Sequence, residues 1–504
     1  MTYIDTFLNK ITMYRLVLYY LVILVGMSAL FCFFEILPYS PTNLAFSTIL
    51  TLFVCWFVQY LFAKTFGAIA NIESVYITAF ILALIISPVS PTDFAGIGFI
   101  VFASAWAMAS KYIFTIGKKH LFNPAAFGIA FAALALDQSA TWWVGGNLPL
   151  LPFVLIGGLL IVRKIHRFDL VITFSIAALL TIILTGNGRD PITTIAQTLQ
   201  YTPLFFLALV MLTEPLTMPP NRYLRMLYGA IVGFLFAPNI HFGSLYLSPE
   251  LALLVGNIYV AIVSPKGRFM LTLLEKKEIA SGTYEFIFTS DRPLTFNPGQ
   301  YVEWTLGHTP NDDRGNRRYF TIASSPTEQT VRLGVRVYEP ASTFKLALTS
   351  MDVGDTVSIS SLAGDFVLPK DKNKKLVFIA GGIGITPFRS QVQYLIDTKD
   401  TRTITLLYSN KTASEIAYKD TFDRAAQSIG MKTIYALSAE QNPVPGTYAG
   451  RVDSTLIARE IPDYKERMFY LSGPHGMVTA FEKTLHEMGV SRFNIKTDYF
   501  PGFA

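Results

Sequence analysis

The chain changes character once along its length. Up to about residue 265 the hydrophobic positions form long unbroken runs, and beyond it polar and apolar positions alternate at the periods of strands and amphipathic helices. The runs predict ten membrane spans, at residues 15–34, 43–63, 74–88, 93–110, 123–137, 148–162, 167–186, 200–213, 224–238 and 248–264. Several are shorter than the roughly 20 residues a bilayer requires, so some must be broken, re-entrant or shielded by neighbours. Loop charge supports the count. With a cytoplasmic amino terminus, the inside segments hold Lys10, Arg15, Lys64, Lys111, Lys118, Lys119, Arg163, Lys164, Arg167, Arg222, Arg225, Lys266 and Arg268, against Arg189 alone outside. That asymmetry predicts both ends inside, a multi-pass protein of the cell (inner) membrane, and a second half in the cytoplasm. Met1 to Lys10 lack the small-residue cleavage site of a signal peptide, so the first run is expected to be a retained span.

An internal repeat runs through the apolar half. Thr78–Leu84 leads to prolines at Pro88 and Pro91, and Phe205–Leu209 leads to Pro215 and Pro219. Asn123-Pro124-Ala125-Ala126-Phe127-Gly128 likewise matches Ser248-Pro249-Glu250-Leu251-Ala252. The copies lie five spans apart, an odd number, which inverts their topology and points to a site between the halves near the midplane. The competing explanation is that proline and glycine are simply common in membrane helices.

In the second half, residues 268 to about 370 read as the strands of a small antiparallel β-barrel, with early strands at Thr283–Phe288 and Pro298–Trp304. Residues 372–504 alternate strand and helix, with strands at Leu376–Ala380, Thr403–Tyr408, Lys432–Ala436 and Met468–Leu471. This α/β pattern predicts an open parallel sheet that binds a nucleotide at its carboxyl edge. Two stretches carry chemistry. Arg317–Pro326 supplies a guanidinium, aromatic rings and a hydroxyl on one strand, the groups a flavin diphosphate needs. Leu376–Pro387 is an apolar strand entering a glycine turn, Gly381-Gly382-Ile383-Gly384. The turn is not the dinucleotide fingerprint of Rossmann enzymes, but its mechanism is related, with glycines letting backbone amides approach a pyrophosphate at a helix start.

These two stretches, in this order and spacing, resemble the ferredoxin–NADP reductase family of FAD/NAD(P)H modules. The resemblance implies that Arg318 binds FAD phosphate, Phe320 lies against the isoalloxazine and Thr321 approaches its N5, with Tyr319 the aromatic that could exchange roles with Phe320. Ser342 and Thr343 open a helix whose amides could hold the pyrophosphate, a plain serine cap being the alternative. Gly364 makes the turn that closes the barrel. Gly381, Gly382, Gly384 and Thr386 would hold the nicotinamide dinucleotide. Ser472-Gly473-Pro474 stands where the family usually has cysteine–glycine–proline beside the nicotinamide, so Thr321 and Ser472 are the candidate catalytic residues. Phe500 or Phe503 in the aromatic tail would cover the flavin. Lys411, after the second strand, favours a 2′-phosphate and hence NADPH, or it is a solvated loop lysine and NADH stays open. The expected domains are 1–265 in the membrane, 266–370 for FAD and 371–504 for NAD(P)H.

The apolar half resembles the membrane subunits D and B of the Rnf and sodium-pumping NADH:quinone oxidoreductase complexes. Lys119-His120-Leu121-Phe122-Asn123-Pro124-Ala125 and Leu212-Thr213-Glu214-Pro215-Leu216-Thr217 carry the likeness. It implies an additional flavin, FMN esterified to an outside-loop threonine or a non-covalent flavin such as riboflavin nearer the cytoplasm. Here the outside loop is short, Asp137 to Asn147, and lacks the family's long insertion. Thr141 is a candidate anchor, or Trp142 and Trp143 are interfacial anchors of a plain loop. Glu214 either lines an ion or proton path or pairs at the interface with Arg222 and Arg225. Asn123, Pro124, Thr141, Thr213 and Glu214 are thus the candidate membrane flavin, quinone or ion site.

Composition narrows the alternatives. The net charge of +6 sits largely between membrane runs and does not indicate nucleic-acid binding. Two cysteines, Cys32 and Cys55, are too few for an iron–sulfur cluster, a zinc site or a disulfide framework, and no metal site is expected. His120, His166 and His241 fall at span ends or in loops, which argues against transmembrane haem. The expected function is a membrane flavoprotein moving electrons from NAD(P)H through FAD to a flavin or quinone. Membrane lipid is the expected surrounding, with a quinone or an extracytoplasmic carrier as partner. The alternative is an inverted-repeat transporter or channel regulated by a redox-sensing reductase module.

Overall fold

The structure, a computed structural model, describes residues 4, 7–8, 11–66, 72–116, 119–186, 188, 190–219, 221–243, 245–264, 268–310, 312, 316–440 and 445–498. The chain divides into two compact units, Thr2–Gly267 and Arg268–Ala504.

The first unit is helical, and each predicted run holds a helix: α1 (Met13–Phe33), α2 (Pro41–Phe66), α3 (Ile72–Ile85), α4 (Phe94–Ile113), α5 (Pro124–Leu136), α6 (Leu151–Ile165), α7 (Phe168–Leu184), α8 (Pro191–Tyr201), α9 (Leu204–Met211), α10 (Arg222–Phe236) and α11 (Pro249–Val263). Three of them, α1, α2 and α4, are long and apolar enough to cross a membrane, and α8 with α9 makes a fourth if that pair, bent by 63°, counts as one span. Helix α9 lies within the run expected at 200–213, and α8 precedes it from Pro191. Asp190 caps α8 by accepting from the Thr193 amide, and a polar first segment hid it from the hydropathy pattern. Starts at α5 and α11 follow the same logic, with Asn123 and Ser248 as caps and a proline in the first turn.

Small residues set the helix crossings. A Cβ on Gly229 or Gly233 of α10 would lie 2.8 Å from the Leu170 carbonyl oxygen or 2.4 Å from that of Phe174, both on α7. The four-residue spacing of those glycines lets the two helix backbones touch.

Helix α3 stops halfway, and its freed carbonyls are met by a loop. Trp142 N–H donates to Ile85 O (2.9 Å), the Trp143 indole to Ile86 O (3.0 Å) and Ala83 O (3.2 Å), and Val144 N–H to Leu84 O (3.3 Å). Both tryptophans are buried, so they are helix caps and not the interfacial anchors expected of a short loop.

The second unit packs two six-stranded sheets. The first is antiparallel, built from β1 (Phe269–Ala280), β2 (Thr283–Ser290), β3 (Tyr301–Thr305), β4 (Arg317–Thr321), β5 (Val331–Arg336) and β6 (Thr356–Ala363), in the order β4-β3-β6-β1-β2-β5. Just past β4, Ala323 N–H donates to Arg332 O on β5 (2.9 Å), drawing the two edges together. Helix α12 (Thr343–Thr349) buries Phe344 and Leu348 in this sheet's core with Trp304 and Phe288.

The second sheet is parallel: β7 (Leu376–Gly381), β8 (Ile404–Asn410), β9 (Lys432–Leu437), β10 (Thr447–Ala449), β11 (Met468–Ser472) and β12 (Ile495–Asp498), in the order β10-β9-β8-β7-β11-β12. The strand order reverses between β7 and β11. Helices α13 (Thr386–Asp397), α14 (Lys419–Ile429), α15 (Ser454–Glu460) and α16 (His475–Glu487) complete the α/β layers. Strand β7 is buried at every position, as a central strand covered on both faces must be.

Helix α13 joins the sheets. Arg389 forms a two-pronged ion pair with Glu328 and donates to Ala323 O (3.1 Å), Ser390 Oγ donates to Ser324 O (2.6 Å), and the Gln391 side-chain amide to Phe366 O (2.7 Å). Because Arg389 is buried, removing it leaves Glu328 without its main counter-charge. R389A should destabilise the second unit by about 3 kcal/mol, read by pulse proteolysis of the full-length protein in urea. A loss under about 1 kcal/mol would instead mark the pair as solvent-screened.

Candidate functional site

Strand β4 pairs with β3 so that Trp304 faces Arg318, Val302 faces Phe320 and Tyr301 faces Thr321. Alternation puts Arg318 and Phe320 on one face and Tyr319 on the other. The contacts agree. The Arg318 guanidinium lies over the Phe344 ring (5.2 Å), and Phe320 packs on the same ring with centroids 5.9 Å apart. Tyr319 is exposed and meets Tyr301 edge-on at 5.8 Å. Sharing a face with the cation favours Phe320 over Tyr319 as the ring of the predicted set.

Two observations test whether these residues fit a flavin diphosphate. Thr321 is buried and its Oγ1 has no hydrogen-bond partner, so a hydroxyl is held ready at the end of the strand. Arg318 Nη2 lies 3.2 Å from Asp312 Oδ1, and the Thr343 amide donates to Asp312 Oδ2 at 3.3 Å. A guanidinium and a backbone amide thus converge on one anionic group, a carboxylate here, with the chemistry a phosphate requires. The residues fit. Ser342 accepts from the Lys345 amide (3.3 Å) and acts as the cap of α12. Thr343 Oγ1 is tied to His308 Nε2 (3.1 Å) and the Asp312 amide (3.0 Å). Gly364 has φ +119°, and a Cβ there would meet Tyr301 at 3.2 Å, so the turn after β6 requires glycine.

The predicted nucleotide residues gather at the strand-order reversal. Ala380 on β7 is in register with Ser472 on β11, so the glycine turn and Ser472-Gly473-Pro474 leave the sheet side by side. A Cβ on Gly384 would lie 2.5 Å from both Ser472 O and Gly473 Cα, and one on Gly381 would lie 2.3 Å from Met477 Sδ. Gly382 has φ +52°, and its carbonyl accepts from the Tyr408 hydroxyl (3.1 Å). A crevice at the carboxyl ends of two diverging strands is where open α/β sheets bind ligands. Ser472 is buried, Thr386 starts α13, and Lys411 is exposed. Phe500 and Phe503 lie outside the described residues.

Two residues at this edge escaped the sequence pattern. Arg336, from β5 of the other sheet, brings its Nη1 within 3.8 Å of the Gly382 Cβ position and ion-pairs with Glu415. That guanidinium holds the Glu415 carboxyl below the usual carboxylate range. Asp498, on β12, is in register with Ser472, and its Oδ2 is buried without a partner. Burial pushes its carboxyl up to about 7. Only the tertiary fold brings either residue to the glycine turn.

In the helical unit, Glu214 is paired with neighbouring side chains. Its Oε1 lies 3.2 Å from His120 Nε2, and its Oε2 accepts from Asn123 Nδ2 (2.9 Å) and Thr217 Oγ1 (3.1 Å). Arg225 pairs with Asp169 instead (3.1 Å). Asn123 N–H donates to Asn257 Oδ1 (2.8 Å), and Asn257 Nδ2 donates to the Tyr228 hydroxyl (3.3 Å). Asn123 and Glu214 therefore come together with His120 and Asn257, while Pro124 only starts α5. Thr213 turns its hydroxyl back along the helix, donating to Leu209 O (3.0 Å) and Val210 O (3.1 Å). Thr141 is exposed and bonded to Ser87 Oγ (2.9 Å), apart from the Glu214 network.

Two outcomes follow from this geometry. G384A has no flexible side chain to displace, so it should weaken dinucleotide binding about tenfold or more and cost about 2 kcal/mol. Calorimetric titration of the full-length variant measures the first, and pulse proteolysis the second. For Asp498, the fold binds the proton more tightly than the unfolded chain, whose aspartates titrate near ~3.9. Stability is then greatest below about pH 4, falls as pH rises towards about 7, and is level above. D498N should be more stable than the parent by about 2 kcal/mol at pH 8 and equal to it near pH 4. Equal stability at both pH values would mean that the carboxylate is ionised throughout.

Comparison with known proteins agrees with the parallel sheet. A family model described as an oxidoreductase NAD-binding domain matches residues 378–483. The chain is 27% identical over 234 residues to the flavohemoprotein of Oceanobacillus iheyensis, covering 45% of this chain and 56% of that protein. It is 31% identical over 198 residues to the phenol 2-monooxygenase reductase component DmpP of a Pseudomonas species, covering 39% of this chain and 55% of that one. The solved Amycolatopsis cytochrome P450 reductase GcoB is similar at 24% identity with a TM-score of 0.42, covering 47% of this chain and 71% of that one. The chain thus spans about half the length of these curated relatives.

Proposed function

We propose that this chain is a membrane-bound flavoprotein reductase that moves electrons from NADH or NADPH through FAD to a flavin or quinone held by the helical unit. The observation that carries it is the pairing, inside one compact unit, of a glycine turn at a strand-order reversal with a strand offering Arg318, Phe320 and an unpartnered, buried Thr321 hydroxyl. The similarity to flavohemoproteins and to a monooxygenase reductase component supports the same assignment.

Each residue has a bounded task. Arg318 holds phosphate as a fixed cation, and Phe320 supplies the ring wall. Thr321 offers a hydrogen bond at the flavin's reactive edge. Gly381, Gly382 and Gly384 allow the dinucleotide backbone close approach, and Arg336 stands ready as its cation. Ser472, buried at the reversal, orients the nicotinamide. Bound nicotinamide and flavin supply the hydride chemistry themselves, so the protein's contribution is alignment and exclusion of water.

In this proposal the helical unit crosses the inner membrane ten times, with the reductase unit on the cytoplasmic side, and the antiparallel sheet works as the FAD barrel. Glu214, His120 and Asn123 are its candidate contacts for a quinone or second flavin such as FMN or riboflavin. Flavin analysis tests the scheme. Acid-released flavins from detergent-purified protein, with in-gel fluorescence for covalent flavin, should give FAD in the full chain and in residues 268–504. A second flavin should appear in the full chain alone. FAD alone in both would restrict the acceptor to a quinone or leave the regulated-transporter alternative, and no FAD in either would sink the reductase assignment.

A further inference from the structure

We infer that the dinucleotide taken by this chain is NADH, and that Glu440, acting beside Asn410, is the residue that selects it against NADPH. The inference rests on the reductase assignment above and concerns the same nucleotide edge.

In an open doubly wound sheet, the adenosine ribose lies past the carboxyl end of the second strand. An acid there accepts from a free 2′-hydroxyl, whereas a 2′-phosphate needs a cation. The second strand here is β8, which ends at Asn410. The segment after β9 folds over that end: Ser438 N–H donates to Asn410 O (3.0 Å), and Ala439 N–H to Lys411 O (2.9 Å). This brings Glu440 across to the turn after β8, where its Oε1 accepts from the Ala413 amide at 2.8 Å. Glu415 occupies the same turn, its Oε2 accepting from the Lys411 amide at 3.0 Å. Two carboxylates therefore border the end of the second strand.

Arg336 offsets Glu415, with which it ion-pairs beside the glycine turn, and leaves Glu440 as the carboxylate that a phosphate would meet. Lys411 is exposed, its backbone fixed on both sides by the contacts just given. A 2′-phosphate brought here would face like charge across a short distance, which raises its binding free energy.

Asn410 supplies an independent sign of a ligand. It is only 5% exposed, and beyond the neighbouring Tyr408 hydroxyl its Oδ1 and Nδ2 meet no hydrogen-bond partner. Buried amides are rarely left unsatisfied, and this one stands at the strand end where a ribose would present donor and acceptor together. A hydroxyl can donate to Glu440 and accept from Asn410. A phosphate monoester can do only the second.

The test uses full-length, detergent-purified protein and calorimetric titration with NAD⁺ and NADP⁺, so the readout is binding and not turnover. The parent should bind NAD⁺ about tenfold or more tightly than NADP⁺. E440Q keeps an oxygen for the Ala413 amide while removing the charge, so the turn should hold its shape. It should narrow the preference to about threefold or less, mainly by tightening NADP⁺. N410A should weaken both nucleotides. Equal or tighter binding of NADP⁺ by the parent, or a preference unmoved in E440Q, would overturn the inference and leave the reductase assignment standing. Binding of neither nucleotide would overturn both.

Discussion

The second unit depends on one buried ion pair. Arg389 enters from the first turn of α13, directly behind the glycine turn, and grips Glu328 in the loop that follows β4. The same guanidinium donates to Ala323 O, two residues beyond Thr321. Glu328 also accepts from the Ser325 amide (2.6 Å) and ion-pairs with Arg332 (3.1 Å), whose other side meets Glu285 (2.9 Å). The end of the strand with the predicted flavin groups and the start of the helix at the nucleotide turn are thereby fixed to each other. Transfer between two stacked rings tolerates little misplacement, so the scaffold must be set before either ligand arrives. Buried charge is an unfavourable way to gain stability, but a two-pronged pair has only one geometry. Positional accuracy is the physical return on that choice.

What the sequence made legible was local. Alternation over Arg317–Thr321, an apolar run into Gly381–Gly384, and Ser472-Gly473-Pro474 each carry their chemistry within a few residues, and the fold brings the last two together at one strand-order reversal. The same alternation, taken literally, also separates Phe320 from Tyr319, which contacts then resolve. Arg336, Glu440 and Asp498 were not legible. Each comes from a different element, and each matters only because sheet order carries it to the edge beside Gly382, Asn410 or Ser472. No period or motif encodes an approach of that kind. Lys411 stands just past the second strand, as expected, and is exposed in the fold.

The helical unit obeys a different constraint. Where a helix breaks within an apolar unit, its freed carbonyls need donors, because a buried polar group left unpaired is costly. The break after α3 is met by Trp142, Trp143 and Val144, and the loop accepts a left-handed residue to do so, Trp142 at φ +52°. A bulky residue in that region is uncommon, and here it is held from both ends, by its amide on Ile85 and by its indole on the buried Glu250 (2.9 Å). The break after α9 is handled differently. A π-turn runs through Leu207–Met211, and Thr213 bends its hydroxyl back to the carbonyls before it. One consequence is that Glu214, next in sequence, leaves the helix and turns to His120 and Asn123. Asn123 then bonds α11 through Asn257. At this second break the irregular backbone and the buried polar network are therefore one feature: the break releases Glu214, and the network is where that side chain is satisfied.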